Sequence, residues 1–229
     1  MHSPKIVISI PAFNDSLSLL QLVEATIQHL NRIKLNYSIF IVNDGSTDNT
    51  QQIIDDLQRK YQFITSCTHK KNLGFGETLR KVFKDPEGDW VLFLPGDHQF
   101  PIENIDRFLK LINEFDFIIG FRKKRNDSMN RKIYSYIYNI LITYTSGYEV
   151  NDVNSIVFFK KSLLDKVDLK SNSAFIHAEL FIKCMNKKAK AVEIDVIHHQ
   201  RSFGKGAGGN LKVISATLKD VLLFHLGKF

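Results

Sequence analysis

Cysteine is scarce in this chain: Cys67 and Cys184 are the only two, and they lie far apart, with no Cys-x-x-Cys pair. Their number and spacing argue against a disulfide framework and a zinc site, and fit a reducing compartment. Long apolar runs are also missing, since none approaches the roughly 18 residues needed to cross a bilayer. The run 5–10 is too short for the apolar region of a signal peptide. We therefore expect a cytoplasmic protein, at most peripheral on the inner face of the membrane.

Negative charge is in the minority, with 31 Lys and Arg residues against 24 Asp and Glu residues and a formal net charge of +7. An excess of positive charge favours anionic partners such as nucleotides, phosphates or phospholipids, although a soluble protein can be basic without using its charge. A hydrophobic content of 44% with 24% charged residues is ordinary for a globular protein. The length of 229 residues suits one sizeable domain.

Short apolar runs alternate with amphipathic stretches through the first half of the chain. Runs at 5–10, 38–42, 63–68 and 90–94 predict buried strands, and Pro11 is expected to stop the first of them. The stretches between them carry apolar residues at helical spacing. This alternation predicts an α/β fold with a mostly parallel central sheet and helices on both faces.

Polar loops follow three of these strands, at Asn14-Asp15, at Asn43-Asp44-Gly45 and at Asp97. Because the carboxyl ends of parallel strands meet at one edge of the sheet, these loops predict a single ligand-binding cleft. The Gly74-Phe75-Gly76 segment lacks the third glycine and the acidic partner of a dinucleotide-binding fingerprint. A Rossmann dehydrogenase is therefore excluded.

The second half is more basic and more aromatic. It predicts strands at 115–120, 155–159 and 191–197, helices at 133–144, 175–185 and 211–226, a cluster of basic residues between 122 and 132, and a glycine-rich loop at 201–209. No linker divides the chain, so we expect one domain over 1–210, with the amphipathic helix of 211–229 belonging to it or lying against a membrane. The helices 133–144 and 211–226 are either core helices or interfacial ones.

Four motifs occur in a characteristic order: Pro11-Ala12-Phe13-Asn14-Asp15, Val42 to Asp48, Asn72-Leu73-Gly74 and Gly96-Asp97-His98-Gln99. In this order they resemble the family-2 inverting glycosyltransferases, which have the GT-A fold. Gly120-Phe121-Arg122, Arg131, Asp152 and Arg201-Ser202-Phe203-Gly204 resemble the branch typified by dolichol-phosphate mannose synthase and other polyprenyl-phosphate glycosyltransferases. The resemblance covers about residues 5 to 210.

This resemblance implies transfer of a hexose from GDP or UDP to a polyprenyl phosphate, in the service of cell-envelope biogenesis. It implies a donor site made of Pro11, Phe13, Asn14, Asp15, Asp44, Asn72, Gly74, Gly96 and Asp97. Asp97, Asp152 and Arg201 are the implied catalytic residues. The loop 201–209 corresponds to one that closes over donor and acceptor, although Gly206-Ala207 replaces the usual Ser-Lys.

Leaving-group charge on a diphosphate is best neutralised by Mg²⁺ or Mn²⁺ with oxygen ligands. The resemblance implies that Asp97 and Gln99 hold this ion. Pro95 stands where the family usually has a first aspartate, so fewer charged ligands are present. His98 either assists a softer metal or is a solvated loop residue.

The resemblance assigns Arg122, Arg131 and Ser135 to the acceptor's phosphate. Arginine suits this role because its planar fork binds phosphate through two hydrogen bonds. A phosphate monoester is already ionised near neutral pH and needs no strong general base. A sugar hydroxyl would need a carboxylate to take its proton, and Asp152 or Glu179 is then the candidate.

Two other functions stay open from the sequence. The same enzyme class could act on a saccharide or protein hydroxyl in envelope polysaccharide synthesis. Alternatively, the Pro95 substitution could mark a degenerate, non-catalytic protein that binds nucleotide sugars. A nucleic-acid partner is not expected, since no nucleic-acid-binding module is present.

Overall fold

A seven-stranded sheet organises the chain in the structure, a computed structural model that describes residues 3–123, 129–165, 167–199 and 211–229. The side chains of residues 130, 131, 211 and 212 are not described. The first half contains β1 (Ile6–Ala12), α1 (Ser16–Arg32), β2 (Tyr37–Asn43), α2 (Thr50–Lys60), β3 (Ile64–Thr68), α3 (Phe75–Lys84) and β4 (Trp90–Phe93). Each strand here is followed by a loop and a helix, as expected for parallel units.

The second half contains α4 (Ile105–Leu109), β5 (Phe117–Phe121), α5 (Met129–Ser146), β6 (Val157–Lys160), α6 (Ile176–Asn186), β7 (Ala191–Asp195) and α7 (Leu211–His225). Single turns of 3₁₀ helix occur at Ile102–Asn104 and Lys161–Leu164. The predicted strands end within two residues of the observed ones, a normal margin for element boundaries.

The strands lie in the order β3-β2-β1-β4-β6-β5-β7. β1 is parallel to β2 and β4, β2 to β3, and β5 to β7, whereas β6 is antiparallel to both of its neighbours. The predicted mostly parallel α/β fold is therefore confirmed. The reversal of β6 places the start of this strand, rather than its end, beside the carboxyl ends of β4 and β5.

A separate apolar core covers each face of the sheet. One contains Val7 with residues of α3, α6 and α7, and the other contains Ile6, Ile8 and Ile10 with residues of α1, α2 and α4. The alternation within β1 follows from the two-residue period of a strand. Each fully buried side chain of this kind contributes roughly 1.5–3 kcal/mol. The prediction of helices on both faces is confirmed.

The four residues of β4 are all buried, so the apolar run Trp90–Phe93 is a central strand covered on both faces, as predicted. Pro11 does not stop β1, however, because the strand continues to Ala12 and Pro11 lies opposite Val42. Ala12 accepts a hydrogen bond from the Asp44 amide on the β2 side, so Pro11 faces the β4 side. Pairing with β4 ends at Ser9 and Phe93, so the missing N–H costs no ladder bond.

A turn at residues 170–172 joins α3, α6 and α7. Glu179 of α6 accepts from the amides of Lys170 and Ser171, at 2.9 and 2.8 Å, and Asp220 of α7 accepts from the Ser171 hydroxyl at 2.7 Å. Arg80 of α3 donates to the carbonyl oxygens of Lys170 and Ser171. This turn is therefore fixed by charged groups from all three helices.

Candidate active site

The loops that follow β1, β2, β3 and β4 meet at one edge of the sheet. The Asn14 amide donates to Ser46 at 3.0 Å, and the Thr47 amide donates to the Asn14 side chain at 2.8 Å. Asn14 has a positive φ of 54°, a conformation that Asn adopts more readily than most residues. These contacts join the first two of the loops that the sequence analysis assigned to the donor.

Asp48 fixes the start of α2 against the start of α1. Its carboxylate accepts from the Thr50 amide at 2.9 Å and from the Ser16 amide at 3.2 Å. Burial alone would raise the pKa of Asp48, but the hydrogen bonds from Thr50 and Ser16 outweigh it and lower the pKa to about 2. The group therefore stays ionised at neutral pH and continues to accept these bonds.

Asp44 lies at the end of β2 and is buried, with 4% of its surface exposed. One carboxylate oxygen accepts from His69 Nδ1 at 2.8 Å and from the Leu73 amide at 2.9 Å, and the other accepts from the Gly74 amide at 3.0 Å. His69 was missed by the sequence analysis. Its position directly after β3 was the available signal, because ligand-binding residues gather at such strand ends.

The remaining predicted donor residues surround these loops. Phe13 and Asn72 are exposed, whereas Pro11 and Gly74 are half-buried. Gly74 has a φ of 91° and directly precedes α3. A residue with a side chain would be strained in this conformation, so glycine is required for the chain to enter the helix here.

The segment 95–99 follows β4 and packs against the first loop. A Cβ atom on Gly96 would lie 2.7 Å from the Pro11 carbonyl oxygen and 3.4 Å from the Asp15 carboxylate. The Ser18 hydroxyl donates to the Gly96 carbonyl at 3.2 Å. The absence of a side chain on Gly96 thus lets this segment approach Asp15 closely.

Asp97 and Gln99 are half-buried at the open end of this segment. The Gln99 amide donates to Asp97 at 3.2 Å, and His98 between them has a positive φ of 60°. Both residues offer oxygen donors, which suit Mg²⁺ or Mn²⁺. Across the described part of the chain, no group of three or more His, Cys, Asp and Glu side chains is assembled as a metal site. An ion held here would take much of its coordination from a bound diphosphate.

The segment 197–199, which follows β7, is attached to the same loop. His199 and Gln99 exchange hydrogen bonds, with the His199 amide donating to the Gln99 carbonyl at 2.8 Å. Asn104 accepts from the Ile197 amide at 2.8 Å. This segment leads into the predicted closing loop 201–209, which lies outside the described residues, as does Arg201.

Arg122 and Asp152, which follow β5 and precede β6, form a buried ion pair. Arg122 Nε and one terminal nitrogen donate to the two Asp152 oxygens at 2.7 and 2.6 Å, and the side chains are 9% and 2% exposed. The Arg122 guanidinium also lies 5.9 Å from the centroid of the Phe100 ring, which belongs to the segment after Gln99. The arginine is thereby oriented next to the Asp97 loop.

His177 of α6 lies close enough to this pair to feel both charges, and it contacts the rings of Phe83 and Phe93, with centroid separations of 5.4 and 5.1 Å. Burial, together with the positive charge of Arg122, lowers the pKa of His177 to about 3, although Asp152 acts in the opposite direction. His177 is therefore neutral at physiological pH. It was not recognised in the sequence, where it falls within an apolar helix.

Ser135 is half-buried on α5, and the side chain of Arg131 on the same helix lies outside the described residues. Asn139, one turn further on, donates to the Asn151 carbonyl and accepts from the Val153 amide at 3.3 Å. These contacts tie α5 to the loop that carries Asp152. Glu179, by contrast, is fully buried and bound to the 170–172 turn and to Lys183, so it does not reach this cleft.

One side of α5 is apolar and exposed. Large apolar side chains that protrude from it are Met129, Ile133, Tyr134, Tyr136, Ile137, Ile140 and Tyr144. Leu218 and Leu222 on α7, and Leu226 directly after it, are similarly exposed. Within the described ranges, no helix combines the length and hydropathy that a membrane span requires.

Comparison with curated proteins finds two relatives that are each 28% identical over 217 residues, covering 92% of this chain and 65% of the relative. They are the undecaprenyl-phosphate 4-deoxy-4-formamido-L-arabinose transferases of Proteus mirabilis (strain HI4320) and Photorhabdus laumondii. The chain thus spans less than two thirds of the length of these relatives.

Solved structures share the fold at low sequence identity. Glucosyl-3-phosphoglycerate synthase from Mycobacterium tuberculosis superposes with a TM-score of 0.74 at 15% identity, covering 98% of this chain and 80% of the other. The mannosyltransferase PcManGT from Pyrobaculum calidifontis, solved with GDP-mannose and Mn²⁺, gives 0.68 at 12% identity, covering 97% and 65%. The fold is therefore of the GT-A type, as the sequence predicted.

The sequence also matches a known protein family, in agreement with the strand-end loops and the fold. Residues 7–171 match the family described as Glycosyl transferase family 2. The matched region includes nearly all of β1, the strands β2 to β6, and the motifs around Asp44, Asp97 and Asp152. The chain belongs to glycosyl transferase family 2.

Proposed function

We propose that this protein is an inverting glycosyltransferase that moves a hexose from a nucleotide sugar to a polyprenyl phosphate. The observation that carries the proposal is the buried Arg122–Asp152 pair, in which both carboxylate oxygens accept from the arginine. A carboxylate engaged in this way orients a cation better than it removes a proton. The names of the two curated relatives also support a lipid-phosphate acceptor.

The class of acceptor is inferred from the contacts that the two candidate general bases already make. Asp152 is paired with Arg122, and Glu179 is buried in the 170–172 turn. A phosphate acceptor suits this arrangement, because its oxygen is already ionised and attacks without losing a proton. The new bond forms between this oxygen and the anomeric carbon as the bond to the diphosphate breaks. A nucleoside diphosphate leaves, and no general base takes part.

We assign the donor to the cleft formed by the loops after β1 to β4. Pro11, Phe13, Asn14 and Asp15 would contact the nucleotide together with Asn72, Gly74 and Gly96. Asp97 and Gln99 would hold Mg²⁺ or Mn²⁺, which supplies positive charge to the departing diphosphate. The structures of related fold that contain Mn²⁺ with UDP or GDP-mannose agree with this assignment.

Arg122 would hold the acceptor's phosphate with Arg131 and Ser135, and Arg201 would approach the diphosphate. Arg131 and Arg201 rest on the sequence resemblance. The proposal treats residues 1–210 as the catalytic domain. Residues 211–229, which include α7, are attached to it, because Phe224 packs on Phe175 with ring centroids 5.3 Å apart.

The exposed apolar side of α5 would rest on the membrane that holds the lipid acceptor. Tyrosine favours the bilayer interface, and the net positive charge favours anionic headgroups. We therefore infer a cytoplasmic protein in peripheral contact with the inner face of the membrane. Ser135 lies on this helix, so membrane contact and acceptor binding would occur side by side.

The test is transfer from labelled UDP- and GDP-sugars, with Mn²⁺, to undecaprenyl phosphate in detergent and, separately, to soluble glycans. The donor panel should include hexoses and a 4-deoxy-4-formamido-pentose, because the relatives are named for that sugar. The proposal predicts a lipid-linked product only. Exclusive labelling of soluble glycans would contradict it.

A second candidate is a non-catalytic nucleotide-sugar binder, which Pro95 favours because it removes a charged ligand from the metal motif. Calorimetry would then show donor binding with Mn²⁺, while the transfer assay would give no product with any donor.

A further inference from the structure

His69 and Asp44 form a buried pair at the donor edge of the sheet. Their side chains are 4% and 6% exposed, and His69 Nδ1 donates to Asp44 across 2.8 Å. The His69 amide also donates to the Asn43 carbonyl at 2.9 Å, so the histidine is held by its backbone too. The imidazole therefore has a fixed position from which to orient the carboxylate.

Asp44 uses both of its oxygens on its own protein. Besides His69, it accepts from the amides of Leu73 and Gly74, at 2.9 and 3.0 Å. These two amides belong to the loop that directly precedes α3. Because this buried carboxylate already accepts three hydrogen bonds from the protein, it is better placed to stabilise that loop than to bind a ligand directly.

The two loops are also interlocked sterically. Gly45 has a φ of 67°, and a Cβ atom there would lie 2.3 Å from the Lys71 carbonyl carbon and 2.6 Å from the Asn72 nitrogen. The backbone of Lys71 and Asn72 thus fills the space beside the glycine. Asn72 and Gly74 are held at a set distance from the end of β2.

We propose that the His69–Asp44 pair is a positioning device for the donor site. Asp44 acts on the nucleotide through the Lys71–Gly74 loop, and His69 keeps the carboxylate aimed at the Leu73 and Gly74 amides. The role in donor affinity rests on the proposed function, whereas the role in ordering the loop does not.

The experiment replaces His69 with Phe, which keeps the bulk but removes the Nδ1 donor, and with Asn, whose amide restores a donor close to the same point. The matched control is His29→Phe, because His29 is another buried histidine, 2.8 Å from Asp106, on α1. Amide hydrogen exchange of Leu73 and Gly74 reports loop order. Calorimetry with UDP and with GDP, each with Mn²⁺, reports donor-site affinity.

His69→Phe should speed exchange of both amides by about tenfold or more and weaken binding of the preferred nucleotide by about tenfold, the effect of losing a hydrogen bond to a charged group. His69→Asn should restore most of the protection from exchange and most of the nucleotide affinity. In His69→Phe, the kcat at saturating donor should change less than the KM for the donor. His29→Phe should leave all of these unchanged.

Exchange and affinity in His69→Phe that match His29→Phe would overturn the proposal. If His69→Phe does not fold, His69→Gln decides the matter by the same two readouts. Its amide reaches the Nε2 position and leaves the Nδ1 position without a donor, so faster exchange and weaker binding are expected. A wild-type protein that binds neither nucleotide would contradict the proposed function and the donor role, while the exchange data would still test the ordering of the loop.

Discussion

At the scale of single residues, the Asp152 carboxylate fixes the orientation of the Arg122 guanidinium. Asp152→Asn removes the charge that fixes Arg122, and we expect transfer to a lipid phosphate to fall by about a hundredfold, mainly through a higher KM for the acceptor. The donor Kd should change less than the acceptor KM, because both oxygens of Asp152 accept from Arg122. Loss of one partner of a buried ion pair costs about 3–5 kcal/mol, so the free energy of unfolding must be measured in parallel.

The control is Asp116→Asn, which breaks a more exposed pair with Lys160 on the same half of the sheet. Arg122→Lys provides a second variant, since lysine keeps the charge but lacks the planar fork. Normal acceptor KM in both Asp152→Asn and Arg122→Lys would remove this pair from acceptor binding.

Pro95 is the residue at which this chain departs from the usual metal motif. Pro95→Asp adds a carboxylate two residues before Asp97, and we expect Mn²⁺ to bind about tenfold more tightly in the presence of UDP or GDP, because affinity rises with ligand charge. The measurement is Mn²⁺ titration followed by electron paramagnetic resonance. Pro101→Asp, which adds the same charge after the motif, should change the Mn²⁺ Kd by less than about twofold. Equal effects of the two changes would mean that position 95 has no special relation to the ion.

At the scale of secondary-structure elements, α5 combines a buried side that holds the Asp152 loop with an apolar side that faces outward. Ile137 is 57% exposed on that outer side. We expect Ile137→Glu to weaken binding to vesicles containing anionic lipids by about tenfold, because a charge replaces apolar area at the bilayer interface. Vesicle sedimentation measures this.

Leu20→Glu is the matched control, since Leu20 is an exposed apolar residue on α1, against the opposite face of the sheet. Its vesicle affinity should equal that of wild type. An Ile137→Glu protein that sediments like wild type would show that α5 does not contact the membrane.

Elements that carry a local pattern could be predicted, and relations between distant elements could not. The run Trp90–Phe93 identified a buried central strand, because a strand that is covered on both faces has apolar residues at consecutive positions instead of alternate ones. The reversed direction of β6 left no trace in its own residues, since a strand has the same composition in either direction. Pro11 was misjudged because the cost of its missing N–H depends on where β4 ends.

The same limit applied to the site. Asp44 and Arg122 could be selected because they lie in short motifs, whereas the side chains that they pair with are remote in sequence. His69 is 25 residues from Asp44, and Asp152 is 30 residues from Arg122. Pairing of this kind becomes visible only when the strands that carry the residues are placed next to each other.

At the scale of the whole molecule, buried His177 makes the free energy of unfolding depend on pH. Its folded pKa is about 3, below the ordinary value of 6.5, so the unfolded chain binds a proton that the folded chain does not. Stability from this group is fully present above about pH 6.5 and is lost as the pH falls from there towards 3, by about 1.4 kcal/mol per pH unit.

Urea denaturation at pH 7.5, 6 and 5 measures this slope. His177→Phe should flatten it in that range, whereas His225→Gln, at an exposed position, should leave it as in wild type. A slope that is identical in all three proteins would assign the pH dependence to other groups.

The antiparallel course of β6 brings the loop before it, which carries Asp152, to the same edge of the sheet as the loops after β1 to β4. Under the proposed function, the strand-end loops that would bind the donor lie within residues 11–99. Arg122, Ser135 and Asp152, which would face the acceptor, lie within residues 122–152, and Phe100 lies between the two stretches. If the proposed function holds, the residues that select the sugar and those that select the lipid are largely separate in the sequence, so the two specificities can change largely independently. A lineage could acquire a new acceptor by altering α5 and the loop before β6, while keeping its nucleotide sugar.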